Sequence, residues 1–148
     1  MSAQAFKTSD PNSFYSQMLN GQAPRPAVQT LLGSTVLAVD ADAGVASIQY
    51  ETVNAFRNPA GTVQGGMLGA MLDDLTANLV DATLSAGQGV ATLSLNISFL
   101  RPASVGKPLL GCAQMLRRGR DVCHVSGTLS QDGKDVATAV AVCKVVQV

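Results

Sequence analysis

The run from Gly65 to Leu84, GGMLGAMLDDLTANLVDATL, constrains this chain more than any other stretch. It is long enough for about five helical turns. It is also apolar on nearly every side, so a helix built from it needs other structure around it. A membrane is a poor home for it: Asp73, Asp74 and Asp81 lie inside the run, and each carboxylate costs roughly 2.5–3.5 kcal/mol near a bilayer centre. The helix is therefore expected at the buried centre of a fold that faces water.

What surrounds it reads mostly as strand. The segment Asp10 to Gln22 carries Ser9 or Asp10 as a helix cap, Pro11 at a first helical position and an apolar stripe of Phe14, Met18 and Leu19, which predicts a short amphipathic helix. Ala23-Pro24-Arg25-Pro26 stops it. Leu31 to Val39 and Val45 to Val53 then form a hairpin around Asp42-Ala43-Gly44, with Ala46, Ile48 and Tyr50 on one face. Asn54 to Gly61 is a loop. Beyond the central helix come four candidate strands, Ala91 to Leu100, Pro108 to Arg117, Val122 to Ser130 and Val136 to Val146, read as a meander. The first alternates Leu93, Leu95, Ile97 and Phe99 against Thr92, Ser94, Asn96 and Ser98, so one face is expected inside and the other outside. Ala137, Ala139 and Ala141 are small enough to let the helix approach. The predicted class is α+β: an antiparallel sheet wrapped around one long helix.

The 148 residues suit one domain, residues 1–148, with an N-terminal helix and linker over 1–29 and a core over 30–148. Charged residues make up only 14%, against a usual ~25%, which favours a surface partly covered by a second subunit. Ten basic and ten acidic side chains balance, so no nucleic-acid footprint is expected. The first 99 residues carry seven acids against Lys7, Arg25 and Arg57, whereas residues 100–148 carry seven basic residues against Asp121, Asp132 and Asp135. Cys112, Cys123 and Cys143 are odd in number and lack metal-site spacing, and they read as buried thiols. MSAQAFKTSDPNSFYSQ has no apolar stretch of signal-peptide length, so a cytoplasmic location is expected, with no membrane partner.

Several chemistries lack their residues. His124 is the only histidine and has no ligand partner at a recognised spacing, so a metal is not expected. There is no G-x-S-x-G and no P-loop. The richest stretch is Asn58-Pro-Ala-Gly-Thr-Val-Gln64-Gly65-Gly66, followed by Asp73-Asp74. Gly65 and Gly66 open the long helix, where N–H groups lack intrahelical partners and the dipole adds positive potential. Such donors can polarise a carbonyl. Asp73, about two turns later, is a carboxylate in apolar surroundings and a candidate base or nucleophile. The same residues also admit a structural reading: close packing for the glycines, solvation for Asp74, a buried backbone bond for Asp73.

Together with Ala91-Thr-Leu-Ser-Leu-Asn-Ile-Ser-Phe-Leu-Arg-Pro-Ala-Ser-Val-Gly106, the Asn58 to Asp74 stretch resembles the hotdog-fold acyl-CoA thioesterases, specifically the phenylacetate-pathway (PaaI-like) branch. The resemblance runs from about Leu31 to Val146. It implies hydrolysis of an aromatic or medium-chain acyl-CoA to free acid and coenzyme A, with no cofactor beyond the coenzyme A of the substrate. It also implies a homodimer or homotetramer whose site is shared between subunits. It places Asp73 at the catalytic carboxylate, Gly65 at the carbonyl-polarising N–H, Asn58 beside the thioester or water, and Thr92 at a water-orienting hydroxyl. Gln64 stands where the family commonly has His; an amide still donates a hydrogen bond but does not titrate near neutral pH. Ala77 lacks a hydroxyl that another branch carries there. Arg117, Arg118 and Arg120 are candidates for the coenzyme A phosphates, although an exposed charged hairpin explains them as well. A non-catalytic acyl-CoA-binding module and a hotdog hydratase or dehydratase remain as alternatives.

Overall fold

The computed structural model describes residues 5–148. Its elements are strand β1 (Phe6–Lys7), helices α1 (Phe14–Leu19) and α2 (Ala27–Leu31), strands β2 (Thr35–Asp40) and β3 (Val45–Tyr50), helix α3 (Gly65–Asp81), and strands β4 (Gln88–Phe99), β5 (Leu109–Arg118), β6 (Val122–Gln131) and β7 (Lys134–Gln147). They form one seven-stranded sheet in the order β1-β2-β3-β5-β6-β7-β4, antiparallel except for the short β1–β2 pair.

Helix α3 lies across one face of this sheet, and the sheet residues beneath it are small. A Cβ at Gly127 would stand 3.2 Å from side-chain carbons of Leu75 and Thr76, and one at Gly111 only 3.0 Å from Leu75. Leu72, Leu75, Leu79 and Val80 are fully buried there, each contributing on the order of 1.5–3 kcal/mol. The expected Ala46, Ile48 and Tyr50 face is buried, and so are Ala137, Ala139 and Ala141. At the β6–β7 hairpin Asp132 and Gly133 both take positive φ, 51° and 76°, the conformation a two-residue type I′ turn needs.

Four expectations give way. Only β5, β6 and β7 form a meander; β4 skips to the far edge and pairs with β7, while β5 pairs with β3. The connection from Leu100 to Pro108 contains Pro102, Pro108 and Gly106 at φ 92°, which suits a crossover rather than a hairpin. Second, α1 starts after a Ser13 cap whose side chain accepts from the Ser16 N–H. Asp10 instead accepts from the Asn12 and Ala86 N–H groups, and α1 buries Tyr15 and Ser16 while Phe14 stays exposed. Third, Leu31 ends α2 rather than opening a strand. Fourth, Cys112 is exposed; only Cys123 and Cys143 are buried thiols. No helix among the described residues is long and apolar enough to cross a membrane.

Candidate active site

Gly65 opens α3 with Gln64 in the capping position. The loop before it is pinned: Val63 N–H donates to the Ala103 carbonyl at 2.9 Å, and Gln64 N–H to the Phe56 carbonyl at 2.8 Å. The Gln64 carbonyl accepts from Met67 and Leu68, but its side-chain amide caps nothing and is exposed. Among the described residues the Gly65 and Gly66 N–H groups donate to no protein acceptor, as expected of a first helical turn. A Cβ at Gly65 would meet two ring carbons of Phe99 at 3.3 Å, whereas Gly66 faces open space.

Asn58 sits in the same place with a structural task. Its side-chain carbonyl accepts from the Thr62 N–H at 3.0 Å and its amide donates to the Thr62 hydroxyl at 3.0 Å, closing the turn that delivers the chain to α3. Asn58, Gly65, Leu68, Phe99 and Arg101 line one cavity of about 340 Å³. A larger cavity, about 650 Å³, is lined by Ser47, Cys112, Gln114 and Thr128 among others; it holds none of the candidate residues.

Asp73 and Thr92 meet each other instead. The Thr92 hydroxyl donates to Asp73 Oδ1 at 2.8 Å. Strict alternation puts Thr92 on the outer face with Ser94, Asn96 and Ser98. The structure sets it, still exposed, on the helix side of the sheet, because the β4–β7 register slips between Thr92 and Ser94 and Leu93 becomes the extra residue of a bulge. The expected apolar face is correspondingly incomplete within one chain: Leu93 is 59% and Phe99 57% exposed. Asp73 is half-buried at this edge. Asp74 points elsewhere and is not a solvated neighbour: it accepts from the Tyr50 hydroxyl at 2.8 Å, and burial raises its pKa above the ordinary value despite hydrogen bonds from Tyr50 and Asn78.

Thus the candidate residues fall into two groups on one helix. Eight residues separate Gly65 from Asp73, roughly 12 Å along the axis. One thioester carbonyl cannot touch both within a single chain. Gly65 and Gly69 approach Phe99 and Ile97 of β4 closely, so helix start, acid and sheet edge all lie along the same flank.

The three arginines meet different partners. A second register slip, between Met115 and Arg117, sets Arg118 opposite buried Cys123 and Arg117 opposite His124. Arg118 Nε donates to the Thr83 hydroxyl at 2.8 Å, and Arg120 pairs with Asp121 at 3.3 Å. All three lie on or beside the β5–β6 hairpin, and the Thr83 bond ties that hairpin to the far end of α3 from Gly65. Arg101 is the cation lining the Gly65 cavity, its guanidinium donating to the Asp135 carbonyl at 2.9 Å. Phe99 is the neighbour the pattern gave no reason to single out, since its ring-to-glycine contact is tertiary. Among the described residues no three His, Cys, Asp or Glu side chains converge to hold a metal ion.

Residues 55–144 match the family described as the acyl-CoA thioesterase N-terminal domain. A phenylacetic acid degradation-related protein of Ralstonia eutropha is 57% identical, with a TM-score of 0.87 over 89% of this chain and 99% of that one. The PaaI protein of the E. coli phenylacetic acid degradation operon shares the fold, at 20% identity and a TM-score of 0.79 over 90% of this chain and 94% of that one. Human acyl-coenzyme A thioesterase 13 is 24% identical over 102 residues, 69% of this chain and 71% of the relative. A chain that matches the family over more than half its length, and a solved relative over nearly all of it, belongs to the hotdog-fold acyl-CoA thioesterases.

Proposed function

We propose that the protein hydrolyses aromatic or medium-chain acyl-CoA thioesters to free acid and coenzyme A, in a site assembled from two copies of the chain. The separation of the Gly65 N–H from Asp73 carries the second half of this reading. Strand β4 supports it: twelve residues long, it stands at the sheet's edge with only β7 beside it. A long apolar edge of that kind calls for a partner strand. A second copy related by a two-fold axis along β4 brings one protomer's helix start toward the other's Asp73.

In that arrangement the Gly65 N–H polarises the thioester carbonyl and stabilises the oxyanion that forms. Asp73 takes a proton from water as water attacks the carbonyl carbon, or attacks that carbon itself. The tetrahedral intermediate then expels coenzyme A as the thiolate, which is protonated; in the direct-attack route this leaves an acyl–Asp73 anhydride, which water cleaves to the free acid and the regenerated carboxylate. The step consumes only thioester and water. The Thr92 hydroxyl occupies one Asp73 oxygen and leaves the other for the proton or the bond. The cavity's apolar members, Val63, Leu68, Phe99 and Leu100 among them, suit a small hydrophobic acyl group, and Arg101 is placed for charge on the remainder of the substrate. The described relationship of the Ralstonia protein to phenylacetic acid degradation supports an aryl group.

Thiol release from aryl-, short-, medium- and long-chain acyl-CoAs tests the proposal, with light scattering on the same sample. Turnover by a dimer or tetramer on aryl or medium-chain substrates is expected, and Asp73→Asn, still folded and assembled, should lose it. Equal background rates in both proteins, with acyl-CoA still bound, would leave a binding module; a monomer that turns over normally would remove the shared site. Single turnover in ¹⁸O-water reports on the role of Asp73: solvent oxygen in its carboxylate shows direct attack, with water then cleaving the anhydride at the aspartyl carbon.

A further inference from the structure

Thr92 has one hydroxyl proton, and its environment decides where that proton goes. The bulge at Leu93 brings Thr92 onto the helix side of the sheet, where its cross-strand partner on β7 is Cys143. Cys143 is fully buried and stands opposite Cys123 of β6, which is fully buried too. Burial raises the pKa of the Cys143 thiol; the Thr92 hydroxyl opposes that rise, and the Asp73 carboxylate adds to it. The thiol is therefore neutral and is the cross-strand neighbour of Thr92, the donor to Asp73. A neutral thiol is a weak donor and a weak acceptor. Beside it, the Thr92 hydroxyl has Asp73 Oδ1, at 2.8 Å, as its one strong acceptor among its described neighbours.

We infer that Cys143 is a positioning residue for thioester hydrolysis: by offering the Thr92 hydroxyl only the weak acceptor of a neutral thiol, it leaves that hydroxyl directed at Asp73 and holds the carboxylate in the orientation that activates water. The inference rests on the role proposed above for Asp73. Its chemical content is that position 143 tolerates an apolar side chain and not a hydroxyl. Facing serine and threonine side chains on adjacent strands hydrogen-bond to one another readily, so a serine at 143 draws the Thr92 proton away from Asp73.

The test is steady-state kinetics on the full-length protein with its best acyl-CoA substrate, for Cys143→Ser, Cys143→Ala, Thr92→Val and the Cys143→Ser/Thr92→Val pair. Near-UV circular dichroism and light scattering accompany each variant. Cys143→Ser should lower kcat about tenfold with KM unchanged, the size of effect expected of a misaligned catalytic group. Cys143→Ala should keep kcat within about threefold, the reverse of the order that simple cavity formation gives. In the Thr92→Val background, Cys143→Ser should add nothing to the loss in kcat. A full loss in that background overturns the inference, as does wild-type kcat in Cys143→Ser. If Cys143→Ser does not fold, Cys143→Ala decides: a tenfold fall in its kcat at constant KM overturns the proposal, and near-normal turnover beside an impaired Thr92→Val supports it. Asp73→Asn is run in parallel. If Asp73→Asn is inactive while the Thr92 and Cys143 variants behave as wild type, the positioning role alone is lost; if Asp73→Asn is active, the proposed catalytic reading falls first.

Discussion

Asp73 and Asp74 are neighbours in the chain and opposites in the fold. Asp73 faces the free β4 edge with one side-chain partner, the Thr92 hydroxyl. Asp74 faces the core, where Tyr50 donates to its carboxylate and Asn78 to its backbone carbonyl, and Gln29 of α2 donates in turn to Asn78. The edge carboxylate keeps an open side for a substrate or a second subunit. The core carboxylate is enclosed, and its pKa is raised by that enclosure. A helix turned by about 100° per residue can thus place chemistry on one flank and structure on the next.

Exchanging the side chains separately should separate the two roles. Asp73→Asn is expected to lower kcat by roughly 10²–10⁴, the range for removal of a general base, with thermal unfolding little changed because the half-buried site keeps an acceptor for Thr92. Asp74→Ala should leave kcat within a few-fold and cost about 2–3 kcal/mol of stability, since it orphans the buried Tyr50 hydroxyl. Denaturant melts and turnover on the same preparations check both. If Asp74→Ala, still folded, lost activity as Asp73→Asn does, the division between the flanks would be gone.

The two glycines at the helix start sharpen the comparison at smaller scale. A methyl group at Gly65 presses on the Phe99 ring at 3.3 Å, and one at Gly66 meets nothing within 4 Å. Phe99 is largely exposed and can yield, so Gly65→Ala should fold. It crowds the approach to the N–H and is expected to lower kcat/KM about tenfold, while Gly66→Ala stays near wild type. Equal values for the pair would detach the Gly65 N–H from the carbonyl.

Much of this was legible in the residues. The apolar run of α3 required a wrapping sheet, and the Ala46-Ile48-Tyr50 alternation marked a buried face. Gly65 and Asp73 stood out by position and polarity, and the structure sets them along one flank. What was not legible depends on register. One extra residue at Leu93 reverses the facing of Thr92, and another at Leu116 puts Arg118 rather than Arg117 opposite buried Cys123. A bulge leaves no local mark in a run such as Thr-Leu-Ser-Leu, because it arises from pairing with a distant strand. The placement of β4 beside β7 is likewise decided by where α3 delivers the chain. Asp74 looked solvated because its partner, Tyr50, lies 24 residues away.

The smallest expected effect comes from the far end of α3, where the core flank continues to Asp81. Burial, with the Asp74 carboxylate adding to it, pushes the Asp81 pKa up to about 7. Nearby Tyr15 feels the charge of both acids, and its hydroxyl is the one buried side-chain polar atom among the described residues without a hydrogen-bond partner. The folded protein therefore holds a proton on Asp81 to about pH 7, whereas the unfolded chain releases it near the ordinary value of 3.8. Between those values unfolding releases a proton, so this group's contribution to stability falls as pH rises through the window and is flat above it. Asp81→Asn has no proton to lose. It should gain on the wild type by roughly 2 kcal/mol between pH 5 and pH 8, a few degrees in Tm for a domain of this size, with kcat unchanged. Differential scanning calorimetry of both proteins across that range measures the gain. A constant difference at all pH values would mean that Asp81 ionises normally in the fold, and the core flank would then owe its character to Asp74 alone.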